Sequence, residues 1–346
     1  MHKTMHKQHQ ILPHENSGID DEAEVLDSFE VGIEQINTRI DVVLSQSFEL
    51  IPSRSFAAKL VNSGLARVNG KLVKPSLRVA AGDVITLAGE IFASGGDALP
   101  QAEKIPLNII HEDGDILVIN KPAGLVVHPG AGNPTGTLVN AVLAHCGHTL
   151  PSLGERARAG IVHRLDRDTS GVMVVAKTQI ALTGLSQQFA RHNQERWYLA
   201  IVYGRPSPHS GLAETWHGRD KKHRIKFAVQ NVGEGKIARM RYSVVEALCG
   251  EESAIVRCEL LTGRTHQIRV QMKHLGFPLL GDPLYGCECA RLRKDRQRWA
   301  ALEPLLVRQM LHAERLQFEH PVTKQMMDFR AAPPDDFLQV AAILRR

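Results

Sequence analysis

The chain is poor in aromatic residues: Phe, Trp and Tyr make up 5% of its 346 positions. A core of that composition is built from aliphatic side chains, and the length is enough for two or three domains. No window approaches the ~18 apolar residues of a membrane span. The polar start MHKTMHKQHQILPHENSG has no apolar signal core either. Both absences lead to the expectation of a cytoplasmic protein with no membrane partner. Cysteine is scarce as well. The five, at 146, 249, 258, 287 and 289, follow no repeating spacing, which argues against a disulfide scaffold and for reduced thiols. Cys287-Glu288-Cys289 lacks a second Cys/His pair at zinc-finger spacing, so no metal is expected. A Rossmann glycine fingerprint, a P-loop and an HExxH helix are also missing.

Charge is unevenly spread. Residues 15–34 hold eight acids and no Lys or Arg, and the whole chain is +5, which leaves +13 for the remainder. A basic body favours a polyanionic partner such as nucleic acid. Residues 1–34, with His2, His6, His9 and His14 followed by the acids, have few large apolar side chains and are expected to form a disordered tail.

Residues 35–92 read as a small α+β unit. Helical apolar spacing runs over Asn37–Leu44, and Ser53-Arg54-Ser55 leads a second helix over Phe56–Val61. Ala66–Val73 carries Asn69-Gly70, the pair that a type I′ hairpin turn favours because both central residues need positive φ. A further strand is expected over Val79–Leu87. The order helix, helix, hairpin, with SRS before VNGK, resembles the S4 RNA-binding domain. That resemblance implies RNA contacts by Arg39, Arg54, Lys59 and Lys71. Residues 93–104, ASGGDALPQAEK, read as a linker.

One large domain is expected over 105–346. Ile109–Asp113 and Ile116–Pro122 flank Asp113-Gly114-Asp115 and predict a hairpin, with NKPAGLVVHPG continuing as a Pro- and Gly-punctuated strand. Helices are predicted over 138–150 and 180–193, and a strand over Arg196–Gly204. Met240–Glu246 and Ser253–Leu260 predict a β pair. The run HGRDKKHRIKF (217–227) and an expected basic helix, Arg291–Arg308, are either RNA contacts or solvated faces.

The stretch GIVHRLDRDTSGVMVVAK (160–177) concentrates the chemistry. A charged turn, His163–Asp168, meets Thr169-Ser170-Gly171 and then the β-branched run Val172–Ala176, a buried strand. Two carboxylates, two arginines and a histidine thus crowd one strand mouth, where loops held by rigid elements place functional groups. Alternation alone does not choose between Asp166 and Asp168, which point to opposite sides of an extended loop. A hydrolase using Ser170 lacks the G-x-S-x-G elbow.

HRLD with its D-x-[ST]-[ST]-G turn and VVA strand resembles the catalytic motif of the RluA-type pseudouridine synthases. Three further strings agree in order: NKPAGLVVHPG, TGRTHQIR (262–269) with GDPLYG (281–286), and RQ-x-LHA (308–313). The VVHPGAGNPTGTLVNA run and the S4-like unit place the likeness nearest the large-subunit, RluD-type branch. The resemblance implies an α+β fold with a long mixed, mostly antiparallel sheet and an active cleft across its middle. It implies isomerisation of uridine to pseudouridine in large-subunit ribosomal RNA by a monomer without cofactor. Asp166 would be the nucleophile, Asp168 a cap of its turn, and His163 structural. Tyr198 would stack on the flipped uracil, and Arg269 would keep the nucleophile ionised, as an opposite charge does for a carboxylate. Arg164 would hold the flipped backbone, a task that suits a planar guanidinium. One departure is Gln271, where the family commonly has His; its place is expected to be peripheral to the chemistry. The alternative is an RNA-binding protein of the same ancestry without catalysis.

Overall fold

The computed structural model describes residues 25–47, 51, 54–88, 100–129, 133–147, 150–151, 159–223, 225–287 and 289–346. The chain divides into two compact units, Met1–Ala98 and Leu99–Arg346. The four N-terminal histidines and residues 93–99 of the expected linker lie outside the described residues.

The first unit contains β1 (Val25–Glu30), α1 (Ile40–Ser47), α2 (Arg54–Asn62), β2 (Ala66–Val68) and β3 (Val84–Ala88). Ile40, Val43 and Leu44 of α1 share a core with Ala57, Leu60 and Val61 of α2 and with Ile85 and Leu87 of β3. Asn69 and Gly70 have φ of 51° and 73°, as the I′ turn requires. One expectation is corrected here. Residues 25–34 are not a loose tail: β1 pairs antiparallel with β3, Val31 is buried, and Phe29 packs against the same core. Two apolar residues and an open strand edge suffice, a signal too sparse to stand out in an acidic string.

The second unit holds β4 (Ile109–Glu112), β5 (Ile116–Lys121), α3 (Leu138–Cys146), β6 (Ser170–Ala176), α4 (Gln179–Arg191) and β7 (Glu195–Tyr203). There follow β8 (Ser210–Arg219), β9 (Phe227–Gln230), β10 (Lys236–Leu248), β11 (Ser253–Leu260) and α5 (Gln267–His274). The last elements are α6 (Arg296–Leu302), β12 (Leu311–Glu319), β13 (Met326–Arg330) and α7 (Asp335–Leu344). Its ten strands form one sheet in the order β4-β5-β6-β12-β7-β11-β10-β8-β9, with β13 paired to β12. Among the described residues only β6 and β12 pair parallel, and the other neighbours pair antiparallel, so the expected mixed, mostly antiparallel sheet is found.

β6 is buried along its whole length. Its period-two alternation divides it between two cores. Val172, Val174 and Ala176 pack with Leu182 and Leu185 of α4; Met173 and Val175 pack with Leu138 and Val142 of α3 and Ile268 and Met272 of α5. Gly171, at φ 120°, lets β6 approach β12: a Cβ there would lie 2.2 Å from the Ala313 carbonyl oxygen.

Among the boundaries that differ from expectation, β3 begins at Val84 and α3 ends at Cys146, and three others are informative. β5 stops at Lys121 because Pro122 cannot donate to the ladder, and residues 122–129 are loop. The basic helix is broken: α6 spans only Arg296–Leu302, between short 3-10 turns, because the Asp295 side chain caps it by accepting from the Arg298 N–H at 2.9 Å. Residues 100–104 are not linker but part of the second unit. Asn140 of α3 donates to the Gln101 carbonyl at 2.7 Å, and the Glu103 N–H donates to the Asn140 carbonyl at 3.0 Å.

Candidate active site

The loop entering β6 is locked in place from several sides. The Thr169 N–H donates to the Asp166 carbonyl at 3.1 Å. Arg308 donates to the Asp168 carbonyl at 3.1 Å and holds Asp336 with two further N–H groups. His163 Nε2 accepts the Val174 N–H at 3.1 Å, and the ring stacks on Phe189 with centroids 4.5 Å apart. Burial, with the nearby Arg196 charge, pushes the His163 pKa down to about 3. A neutral imidazole accepting a backbone N–H is a loop-orienting group, as expected of it. Leu165 is buried in the core, while Arg164 is exposed.

Asp166 faces Arg269. The Arg269 Nη1 donates to Asp166 Oδ2 at 2.9 Å; its Nε and Nη2 donate to the two oxygens of Asp282 at 2.7 and 2.8 Å. One guanidinium therefore spans two carboxylates from a side chain only 4% exposed, with Asp282 at 0% and Asp166 at 18%. Burial alone would raise the Asp282 pKa, but Arg269 and the N–H groups of Tyr285 and Leu284 outweigh it and hold the carboxyl below its ordinary range. Burial would likewise lower the Arg269 pKa, and the two carboxylates instead raise it. The Tyr285 ring lies against this guanidinium, 5.0 Å from centroid to Cζ, and its hydroxyl accepts the Phe227 N–H at 2.8 Å. That hydroxyl also sits 2.9 Å from His266 Nδ1. The geometry suits a proton on His266 Nε2, which is 3.9 Å from Asp166 Oδ1.

Two cavities meet at Asp166. One, of about 600 Å³, runs past Tyr198, Phe189 and Ile268. The other, of about 500 Å³, is bounded by Val127, His128 and Pro283. Arg164, Leu165, Asp166, His266 and Arg269 line both. Tyr198 stands on β7 with its ring in the sheet core, and burial raises its pKa; a neutral phenol beside an anionic carboxylate can stack on a base and exchange a proton. Asp166, Tyr198, Arg269 and Arg164 thus line one cavity. Arg39, Arg54, Lys59 and Lys71 are in the first unit and are considered below.

Residues 115–274 match the family described as RNA pseudouridylate synthase, and residues 38–85 match the S4 domain. A ribosomal large subunit pseudouridine synthase D of Vibrio vulnificus is 42% identical over 313 residues, covering 90% of this chain and 92% of that one. The chain belongs to the RNA pseudouridylate synthase family. A chloroplastic RNA pseudouridine synthase 2 of Arabidopsis thaliana is 38% identical over 338 residues, covering 85% of this chain and 77% of that one. The solved human RNA pseudouridylate synthase domain containing 4 superposes with a TM-score of 0.52 at 25% identity, over 69% of this chain and 93% of that chain.

In this pseudouridylate synthase, Asp282 has no role assigned from the sequence, and the structure sharpens the reading of Asp168, Ser170 and Gln271. Asp282 stands in GDPLYG, thirteen residues from the Arg269 that it holds. Asp168 does not cap its own turn: among the described residues its carboxylate makes no hydrogen bond to Thr169 or Ser170, and its charge bears on Lys121 instead. The Ser170 hydroxyl is buried against His312 Nδ1 at 2.9 Å, and the other ring nitrogen lies 2.9 Å from the Ala331 carbonyl. A serine so enclosed is structural. Gln271 is fully buried and its amide donates to Ala213, Thr215 and Ala238, tying α5 to β8 and β10.

Lys121 is fully buried, and its ammonium donates to the carbonyls of Pro122, Leu125 and Arg167 at 2.8–2.9 Å. It clips the 122–125 loop to the loop that enters β6. Burial pushes its pKa down to about 7, against the pull of Asp168 and Asp166. A Lys whose folded pKa lies below its unfolded value of ~10.4 gives up its proton first in the folded state. Between about pH 7 and 10 unfolding therefore takes up a proton, and the contribution of Lys121 to stability rises with pH. Lys121→Met, which strips three buried carbonyls of their donor, is expected to cost roughly 2–5 kcal/mol. The gap from wild type should widen from pH 6 to pH 9.5 in denaturant titrations; a gap that is flat in pH would show that the ammonium stays charged throughout.

Proposed function

We propose that this isomerase converts uridine to pseudouridine in large-subunit ribosomal RNA, with Asp166 as the nucleophile. The observation that supports this most is the carboxylate of Asp166 exposed at the junction of two cavities and paired through its Oδ2 with a buried Arg269 that Asp282 holds from behind. The target base leaves its stack, at a cost of a few kcal/mol, and enters the cavity beside Tyr198. Arg164, at the shared rim, takes up the vacated space or the flipped backbone. Asp166 acts at C1′ as the N1–C1′ bond breaks, the bonding pair leaving with uracil. The uracil turns, C5 joins C1′, and the C5 proton departs. Nothing is oxidised or reduced. Asp282 and Tyr285 are positioning residues that act through Arg269.

The relatives' names supply the ribosomal substrate, and the S4 domain match favours RNA as partner. The proposal places the enzyme in the cytoplasm as a monomer; all five cysteines are unpaired, as a reducing compartment requires. No helix among the described residues is long and apolar enough to cross a membrane. Comparing pseudouridine maps of ribosomal RNA from cells with and without this gene tests the substrate. The proposal expects specific large-subunit positions to disappear; identical maps would refute it.

The S4 unit serves as an RNA anchor in this account. Arg39 and Arg54 both pair with the buried Asp41, at 2.9 and 3.2 Å, which trims the charge they present. Lys59 and Lys71 are exposed and make no ion pair among the described residues. They carry the anchoring role most directly. The double variant Lys59→Ala/Lys71→Ala is expected to lower the slope of log Kd against log salt by up to about 1.8, near 0.9 per phosphate contact on a duplex. An unchanged slope would remove both lysines from the interface.

A further inference from the structure

The mechanism above leaves one buried charge without work. Arg196 lies two residues before Tyr198 on β7, so both side chains point to the same face. It lines the cavity of Asp166 and Tyr198, yet only 8% of it is exposed. Its Nε and Nη2 are fully buried with no hydrogen-bond acceptor among the described residues, and no carboxylate pairs with it there. The guanidinium lies over the Phe189 ring, 5.8 Å from the centroid. On another side it rests against Gly263, where a Cβ would come within 2.7 Å of Nη1. A buried guanidinium with unpaired N–H groups is costly to keep. Burial accordingly lowers its pKa. A protein has little reason to retain such a group unless something that arrives later completes it.

We propose that Arg196 binds the uracil base of the target nucleotide by donating to a carbonyl oxygen of the ring, and that it stabilises the negative charge the ring gains as the N1–C1′ bond breaks. This rests on the isomerase reading of the site. The alternative occupant of an arginine is phosphate, but the surroundings favour the base. Phe189 lies under the guanidinium and Tyr198 stands on the same face of β7, so two aromatic rings flank Arg196 on the cavity side, which suits a flat ring. Arg164 and His192 line the same cavity and are exposed, and there a solvated phosphate would pass. When the glycosidic bond breaks, the bonding pair moves to N1 and is shared with the O2 and O4 oxygens. A donor already in place, in a site that water has left, favours that charge over the neutral ground state. The same pair then returns through C5 as the new carbon–carbon bond forms, so Arg196 neither gains nor loses a proton. Gly263 belongs to the arrangement because any side chain there would push the guanidinium aside.

The test uses Arg196→Met and Arg196→Lys in the full chain, with a large-subunit ribosomal RNA transcript on which wild type is first shown to turn over. No turnover by wild type would defeat the isomerase reading itself. Given turnover, Arg196→Met is expected to lower the single-turnover rate by about 10²–10³-fold. RNA affinity should hold within a fewfold and Tm should stay level or rise, because an unpaired buried charge is replaced by an apolar side chain. Guanidinium ion added to the Met variant should restore part of the rate, and Arg196→Lys should fall between the two. A wild-type rate in Arg196→Met would overturn the proposal. So would a drop in Tm or failure to fold, which would make Arg196 structural. Loss of affinity for RNA with the rate at saturation unchanged would mean a phosphate contact and would also overturn it.

Discussion

Asp166→Asn is expected to lower the single-turnover rate of isomerisation by at least ~10⁴-fold while the protein still folds and binds RNA. The amide keeps the shape of the carboxylate and loses the charge that acts on the sugar. The fold should tolerate it for a specific reason. Arg269 keeps two of its three N–H contacts, the pair to Asp282. The turn itself is closed through the Asp166 backbone carbonyl rather than its side chain. The proposal assigns RNA affinity elsewhere, to the rim around Arg164 and to the S4 unit. A variant that turns over at more than a few per cent of the wild-type rate would move the nucleophile to another residue.

Arg269→Ala should damage both stability and chemistry. Its removal leaves the fully buried Asp282 without its cation and Asp166 without its anchor. Breaking a buried pair from one side typically costs ~3–5 kcal/mol. Because the arginine holds the Asp282 pKa low, that stability is present above the ordinary carboxylate range and fades as pH falls through it. The wild-type advantage over Arg269→Ala is therefore expected at pH 7 and should shrink toward pH 3. Arg269→Lys separates the two effects. A single ammonium can answer the charge of Asp282 but cannot place two nitrogens on Asp282 and a third on Asp166. Lys should thus recover much of the stability and little of the rate. Thermal melts across pH and single-turnover rates for the three proteins decide it. Equal rates in all three would leave Arg269 a purely structural strut.

Much of the architecture could be read in advance because it depends on local pattern. The run Val172–Ala176 is too short for a helix and too apolar for an edge, and it became the doubly buried β6. Asn69-Gly70 made the hairpin that its φ values demand. Failures arose where the deciding partner lay far along the chain. Asp282 is invisible as the partner of Arg269 until α5 and the following turn fold together. Lys121 carries no signal of its own in the sequence; three carbonyls from two loops make it a clip. Arg196 sat in an alternating string, where its burial depends on Phe189 and Gly263. The expected helix over Arg291–Arg308 is broken because Asp295 caps a new helix at Arg296, a local signal hidden within the run of basic residues. Spacing does not separate Asp166 from Asp168 and the resemblance does; in the structure it is Asp166 that accepts from Arg269.

The central claim is that the Asp166 carboxylate drives the transfer of uracil from N1 to C5. Isomerisation replaces the hydrogen on C5 with the bond to C1′, so that hydrogen leaves to water. A large-subunit ribosomal RNA transcript labelled with tritium at C5 of uridine reports the event directly. With enzyme in excess, wild type should release tritium in an amount matching the number of modified positions, and Asp166→Asn should release none above background while still binding the transcript. Tritium release by the Asn variant at the wild-type rate, or none by wild type, would contradict the account.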